Sequence, residues 1–191
     1  ISSDELNDRN HHIVTSAPHI YALRAKTQPS CKHLRIATLN VNGLKSAMDK
    51  GLFAKLPSNL DHLCLQEVKA SKYKQDGLEQ RILQSSNFTH VRFHLHDSKG
   101  YANVAILSKV PPLDATHQFC PFSDICIIDH SFEARLLTVV YNNYTLVTAY
   151  VPFPQMSRAM LTHSLQFRKQ LGMHIVATQE RRPHVPVFLA A

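Results

Sequence analysis

From residue 34 onwards the chain is a series of short apolar runs separated by polar turns. The first run, LRIATL at 34–39, leads into the polar turn NVNG at 40–43. The second, LCLQ at 63–66, ends at Glu67 with Lys69 close behind. Runs of this length bounded by turn residues are typical of buried strands, and side chains at the end of such a strand are held rigidly while they face solvent. The two stretches therefore predict core strands whose polar ends form a candidate site.

Helical and extended patterns alternate along the rest of the chain. Residues 48–56 have the spacing of a short helix that Pro57 ends, and the second strand is predicted over 60–67. A strand, a helix and a strand in that length are typical of a right-handed crossover unit. The remaining predicted elements are a helix around 78–83, strands over 88–95 and 104–108, an irregular loop to 129, strands over 134–140 and 144–151, a helix over 156–178 and a buried strand from 187.

Two local patterns predict finer detail. Alternation over 88–95 places Val91, Phe93 and Leu95 on one face, which indicates a half-buried strand. The pair Asn142-Asn143 lies between two predicted strands and tolerates the positive φ that a tight hairpin requires. Both patterns favour layers in which strands pack against strands or helices.

The chain divides into two predicted regions. Residues 1–33 are mixed and polar without sustained periodicity, and we expect an extended N-terminal arm that acts as a linker or ties the domain to a partner. Residues 34–191 are one domain, since 191 residues suffice for a single core. The chain begins with Ile1, which favours a processed, trimmed or partial product.

Charge and cysteine usage narrow the partners and the compartment. A net charge of +7, with 13 further histidines, favours a polyanion such as RNA or DNA, or an anionic membrane surface. No apolar run is long enough to span a bilayer. The four cysteines form no CxxC pair, so neither zinc nor a disulfide framework is indicated, and unpaired cysteines favour a reducing, intracellular compartment such as the mitochondrion or nucleus.

Four motifs resemble those of the exonuclease III and apurinic/apyrimidinic endonuclease family, within the endonuclease/exonuclease/phosphatase superfamily. They are LNVNGL at 39–44, LQEVK at 65–69, GYANVAILS at 100–108, and EAR at 133–135 running on to LVTAYVP at 146–152. Their order and spacing also match, over roughly residues 34 to 191. The resemblance implies an α/β sandwich of two sheets with helices outside, apparently truncated to its N-terminal half.

The resemblance also implies roles for individual residues. Glu67 resembles the metal-binding glutamate, and Asn42 stands where the family has Asn or Asp near the metal, which is Mg²⁺. Asn40 resembles the asparagine that orients neighbouring active-site groups, and Tyr150 the tyrosine placed against the phosphate. From the residues alone, a solvated strand-end charge, two turn amides and a strand aromatic remain open alternatives.

The chain also departs from the family pattern. Where the family continues Tyr-Val-Pro-Asn, this chain has Phe153, and where a strand ends in Gly-Asp-x-Asn it reads VFLAA at 187–191. The water-activating carboxylate, a later metal-binding aspartate and a C-terminal Asp-His pair are therefore not present in the sequence. Asn103 replaces a glycine, which is milder because Asn tolerates similar backbone geometry.

These departures lead to two hypotheses of different classes. The first is a non-catalytic domain that serves as a nucleic-acid-binding or structural subunit of a larger ribonucleoprotein, such as a mitochondrial ribosome, with neighbouring proteins covering its open sheet edges. The alternative is the N-terminal half of an active Mg²⁺-dependent apurinic/apyrimidinic endonuclease or 3′-exonuclease that hydrolyses DNA phosphodiesters. A phosphatase acting on small phosphoesters or lipids fits the motif wording less well. The sequence favours the first, because a missing general base and half of a metal site abolish catalysis.

Overall fold

The computed structural model describes residues 33–97, 102–119, 133–153 and 157–191 in full, and the backbone of two short strands before them. These strands, β1 (Val14–Thr15) and β2 (Tyr21–Ala22), pair in antiparallel fashion. The rest of the predicted arm over 1–32 lies outside the described residues. So do Cys31, Cys120 and Cys126, and Gly100-Tyr101 of the third motif.

The first of two four-stranded sheets contains the apolar runs at 34–39 and 63–66. Its strand order is β3-β4-β6-β5. Strands β3 and β4 are parallel, as expected of a crossover unit, whereas β6 is antiparallel to both of its neighbours. The bounds are β3 (Ile36–Asn40), β4 (His62–Gln66), β5 (His90–His94) and β6 (Val104–Ser108).

The second sheet has the order β10-β9-β8-β7. Strand β10 is parallel to β9, and the other pairs are antiparallel. The bounds are β7 (Asp114–Thr116), β8 (Leu136–Val140), β9 (Thr145–Ala149) and β10 (Val187–Ala190).

Three apolar clusters join the sheets and helices into four layers. Between the sheets, Ile36, Cys64 and Ile106 of the first pack with Leu137 and Leu146 of the second. Helices α1 (Leu44–Asp49) and α2 (Gln75–Ser85) cover the outer face of the first sheet, and α3 (Arg158–Arg181) covers that of the second. The predicted two-sheet α/β sandwich is confirmed.

Several local predictions are wrong. The helix predicted over 48–56 begins and ends earlier, as α1, and a separate 3₁₀ helix, Phe53–Lys55, follows it because Gly51 at φ 77° breaks the helical path. The loop predicted to reach 129 contains β7. Neither residue of the Asn142-Asn143 pair adopts positive φ. The strand at 187–190 is correct, but it is an edge strand, so Leu189 is 44% exposed rather than buried.

The topology gathers the polar strand ends at one edge of the molecule. Because β5 and β4 are each antiparallel to β6, both end at the edge where β3 ends. Strand β9 ends beside the start of β8, at Tyr150 and Arg135. We call this edge, with Asn40, Glu67 and Tyr150, the site edge.

None of the helices in the described part of the chain is long and apolar enough to cross a membrane.

Candidate active site

Glu67 follows β4 directly, and the backbone there fixes its side chain beside the end of β3. Glu67 has a φ of 52°, which turns the chain sharply out of the strand. Its carbonyl accepts a hydrogen bond from the Gly43 amide at 2.8 Å, and the Val68 carbonyl accepts one from the Leu44 amide at 2.9 Å. These bonds join the loops after β3 and β4, so the motifs NVNG and LQEVK form one unit.

Three side chains contact the Glu67 carboxylate, two through hydrogen bonds and one through an ion pair. Asn40 Nδ2 and Tyr150 Oη each donate to Oε1 at 2.7 Å, and Lys69 Nζ lies 2.9 Å from Oε2. Burial raises the pKa of Glu67, but the hydrogen bonds from Asn40, Lys69 and Tyr150 and the charge of Lys69 lower it to about 2. The carboxylate is therefore ionised at neutral pH, although its side chain is only 18% exposed.

Asn42 is held close to this carboxylate through Lys69. The backbone amide of Asn42 donates to Asn40 Oδ1 at 3.1 Å, an Asx-type turn that accounts for its φ of 45°. Its side-chain oxygen accepts a hydrogen bond from Lys69 Nζ, which also pairs with Glu67. The lysine therefore bridges the two residues to which the sequence assigned metal binding.

A second group of charged side chains fixes Tyr150 from its other side. The guanidinium of Arg135 lies 5.0 Å from the centroid of the Tyr150 ring, a cation–π arrangement, and donates to the Tyr150 carbonyl at 3.3 Å. Arg135 Nε donates to Glu133, and the other oxygen of Glu133 lies 2.7 Å from His163 Nε2 on α3. Helix α3 is thereby connected to the site through the EAR motif.

The structure brings all four residues singled out from the sequence, Asn40, Asn42, Glu67 and Tyr150, to the site edge. Sequence reasoning assigned no role to Lys69 or Arg135. The lysine of LQEVK and the arginine of EAR were visible in the motifs, but their contacts depend on how two loops and two sheets meet. His163 carried no signal in the sequence.

The donor set suits a hard cation that keeps most of its own water. Glu67 supplies an ionised carboxylate, and Asn42 supplies an amide oxygen on the other side of Lys69. Mg²⁺ is commonly held by one or two carboxylates together with waters and substrate phosphates. Within the residues that the structure describes, no group of three His, Cys, Asp or Glu side chains could hold a metal. The Glu67 carboxylate therefore fits Mg²⁺ as one ligand of a set, and Asn42 could join it only if Lys69, which bonds to both side chains, moved aside.

Asn103 and Phe153, two of the departures from the motif pattern, have distinct consequences. Asn103 adopts a φ of 59°, so the tolerance expected of Asn at a glycine position is confirmed. Its side chain is buried, accepts from the His96 amide at 3.1 Å and donates to the Ala70 carbonyl, which ties β6 to the loop after Glu67. Phe153, where the family has an amide, is 77% exposed near the site edge.

The fold, the motif order and the assembled strand-end site define a family. Residues 37–188 match the model of the Endonuclease/Exonuclease/phosphatase family, and the chain belongs to that family. Its homologues and structural neighbours include an exodeoxyribonuclease, a DNA repair nuclease and an AP endonuclease.

Three relatives illustrate the relationship. The "Exodeoxyribonuclease" of Bacillus subtilis is 28% identical over 152 residues, which are 78% of this chain and 55% of the relative. The "DNA repair nuclease APEX1" of Danio rerio is 28% identical over 155 residues, 80% of this chain and 47% of the relative. An AP endonuclease structure from Archaeoglobus fulgidus aligns with a TM-score of 0.57 at 28% identity, covering 74% of this chain and 51% of that one. The chain thus spans about half the length of the relatives it matches.

Proposed function

We propose that this chain supplies the Glu67 part of the active site of a Mg²⁺-dependent nuclease that hydrolyses DNA phosphodiester bonds at abasic sites or 3′ ends. The observation that carries the proposal is the Glu67 carboxylate, surrounded by Asn40, Lys69 and Tyr150 and kept ionised by them. The named activities of the relatives, an exodeoxyribonuclease and a DNA repair nuclease, support DNA as the substrate.

Each side chain of the site has a task in such a reaction. Glu67 and Asn42 would hold Mg²⁺, which neutralises charge on the phosphate when bound. Asn40 fixes the direction of the Glu67 carboxylate through its 2.7 Å hydrogen bond. Lys69 adds a positive charge at the place where an anionic phosphate would approach. The Tyr150 hydroxyl, steadied by Arg135 on its ring, is a donor at the same point.

The test is strand cleavage by the protein at its full native length. A duplex with one abasic site is incubated with Mg²⁺ and wild-type protein, Glu67→Gln or Glu180→Gln. Glu180 is exposed near the end of α3, so its substitution removes one carboxylate without touching the site edge. We expect the Glu67 variant to lose at least a hundredfold in rate and the Glu180 variant to match wild type. Equal rates for all three proteins would overturn the proposal.

A second candidate is the non-catalytic nucleic-acid-binding or structural subunit of a larger ribonucleoprotein. The specific observation in its favour is Phe153, a 77% exposed aromatic where the family has an amide. This candidate predicts no cleavage by wild-type protein, together with salt-sensitive RNA binding that Glu67→Gln leaves unchanged. The geometry favours the nuclease, because the donors around Glu67 maintain an ionised carboxylate at a strand end.

A further inference from the structure

A polar groove opens at the site edge, on the side of β5 and β7. It encloses about 280 Å³. His94 lines it and pairs with Val104 of β6, and Val104 in turn pairs with Gln66 of β4. The groove is thus two strands away from Glu67, roughly 10 Å at ordinary strand spacing. Its main polar lining consists of Lys72, Gln75, His94, His96, His117 and Gln118.

Rigid contacts hold the inner wall of this groove. His94 is buried, and its Nδ1–H donates to the Leu136 carbonyl at 2.7 Å, which fixes the ring against the second sheet. The ring of His117 packs on it with 4.6 Å between centroids, although His117 as a whole residue is exposed. Asn103 accepts from the His96 amide and its carbonyl accepts from the Val68 amide at 3.2 Å. The wall is therefore connected to the loop that carries Glu67.

The charges in the groove largely cancel. Lys72 lies 3.5 Å from Asp97, which also lines the groove, and both side chains are exposed. A backbone phosphate is held best by cations without a carboxylate beside them. What the groove offers instead is an imidazole face at His117 and the carboxamides of Gln75 and Gln118. Aromatic faces stack on nucleobases, and carboxamides hydrogen-bond to their polar edges.

We propose that this groove binds a nucleobase of the DNA strand, unstacked next to the position that reaches Glu67, with His117 as the stacking platform and Gln118 and Gln75 at the base edge. The proposal rests on the proposed function, since it takes DNA as the ligand. Enzymes that act on a base within a duplex commonly unstack its nucleotide and hold the base by stacking and by edge contacts. A base held in the groove would fix the position of the DNA strand relative to Glu67.

The test combines substitutions in the protein with missing bases in the DNA. Binding of labelled duplexes to the protein at its full native length is measured in EDTA, which prevents cleavage. One duplex carries a single abasic analogue, and each of the others also lacks one further base within three nucleotides of it. The proteins are wild type, the double variant H117A/Q118A, and the control N87A/H90A. Asn87 borders a groove at the opposite edge of the first sheet and His90 begins β5 there, so the control likewise removes one histidine and one carboxamide.

One of the duplexes should lack the base that occupies the groove. We expect wild type and the control to bind that duplex about tenfold more weakly than the reference duplex. The H117A/Q118A protein should bind the reference duplex about tenfold less tightly and should not respond to that missing base. Equal responses of all three proteins at every position would overturn the proposal, as would a uniform, salt-dependent loss that points to charge contacts alone. Melting temperatures are measured in parallel and are expected to stay unchanged, because His117, Gln118 and Asn87 are exposed and His90 is only half-buried.

The outcome separates the two proposals. Base-dependent binding that H117A/Q118A removes, in a protein that does not cleave with Mg²⁺, would contradict the nuclease and leave the base-binding groove standing. Mg²⁺-dependent cleavage without any base-dependent binding would contradict the groove alone.

Discussion

At the scale of single residues, the site depends on Glu67 and on the direction from which its donors approach. Asn40 and Tyr150 share Oε1, and Lys69 takes Oε2. A hydrogen bond to a charged acceptor is typically worth about 1.5–3 kcal/mol. Each donor therefore contributes to keeping the carboxylate ionised and to fixing its orientation.

The Tyr150→Phe variant tests this arrangement. Without the hydroxyl, the pKa of Glu67 rises from about 2 towards its ordinary value of 4.5, since the other donors remain but one hydrogen bond is lost. We expect kcat/KM for abasic-site cleavage to fall roughly tenfold, and its acid limb to move to higher pH. A pH–rate profile measures both. The control is Tyr144→Phe, which removes a hydroxyl at the opposite edge, and an identical profile for both variants would contradict the account.

The Asn42→Asp variant tests the assignment of metal binding. A second carboxylate beside Glu67 strengthens the attraction for a divalent cation, which then competes with the Lys69 ammonium for both side chains. We expect the Mg²⁺ concentration for half-maximal cleavage to fall about threefold to tenfold. Asn59→Asp adds the same charge at an exposed turn away from the site and should leave that concentration unchanged. No difference between the two variants would remove Asn42 from the ligand set.

Residue roles were only partly predictable from the sequence. Asn40, Glu67 and Tyr150 stand at strand ends within the motifs, so their meeting at one edge follows from the order of the strands. The bridge from Lys69 to Asn42 and the stacking of Arg135 on Tyr150 depend on loop geometry and on the pairing of β8 with β9. Neither relation has a periodic signature.

At the scale of elements, α3 is the support of the second sheet. Phe167 is fully buried against Leu136, Val147 and Ala149, and the same helix contributes His163 to the charged group behind Tyr150. Sequence periodicity predicted this helix to within a few residues of Arg158–Arg181. The early helix was misplaced because the residues of α1 follow the polar turn so closely that the turn obscured its start.

Phe167→Ala should destabilise the protein by about 3–5 kcal/mol, since it leaves a cavity between helix and sheet. Urea denaturation of the protein at native length gives this value. Leu165→Ala on the same helix, at a side chain that is 57% exposed, should change the free energy of unfolding by less than about 0.5 kcal/mol. Comparable losses for both variants would show that α3 does not pack as described.

Two buried histidines predict an acid-sensitive fold. Burial lowers the pKa of His174 to about 4, with a further contribution from Arg181, and burial lowers the pKa of His62 to about 4 as well. The folded values lie below the ordinary 6.5, so the unfolded chain binds more protons between these limits. Stability from these groups is therefore present above pH 6.5 and is lost as the pH falls towards 4.

Urea denaturation at pH 7.5, 5.5 and 4.5 measures this dependence. Each histidine should contribute on the order of 3 kcal/mol by linkage. His174→Leu should flatten the fall between pH 6.5 and 4, because the site no longer takes up a proton, whereas His184→Leu at an exposed position should not. The same slope in both variants would count against the buried, neutral state of His174.

At the scale of the whole molecule, two sheets meet face to face and one edge of the pair carries the chemistry. Alternating short apolar strands and helices predicted the layered class, and the motif resemblance predicted the two-sheet sandwich. Strand order was not predictable from pattern alone, because β6 lies between β4 and β5 although it follows both in the sequence. The edge position of β10, which leaves Leu189 exposed, was not predictable either. The groove beside His117 was not predictable from the sequence either, because it lies between β5 and β7, which belong to different sheets.

The proposed function requires Glu67 to be an ionised ligand for a divalent cation at the site edge. The most direct measurement is a titration of the protein at native length with Mn²⁺, followed by electron paramagnetic resonance of the free ion, for wild type, Glu67→Gln and Glu180→Gln. We predict that wild type and Glu180→Gln bind Mn²⁺ that Mg²⁺ displaces, and that Glu67→Gln binds it at least tenfold more weakly. Equal Mn²⁺ binding by Glu67→Gln and wild type would contradict this role of Glu67.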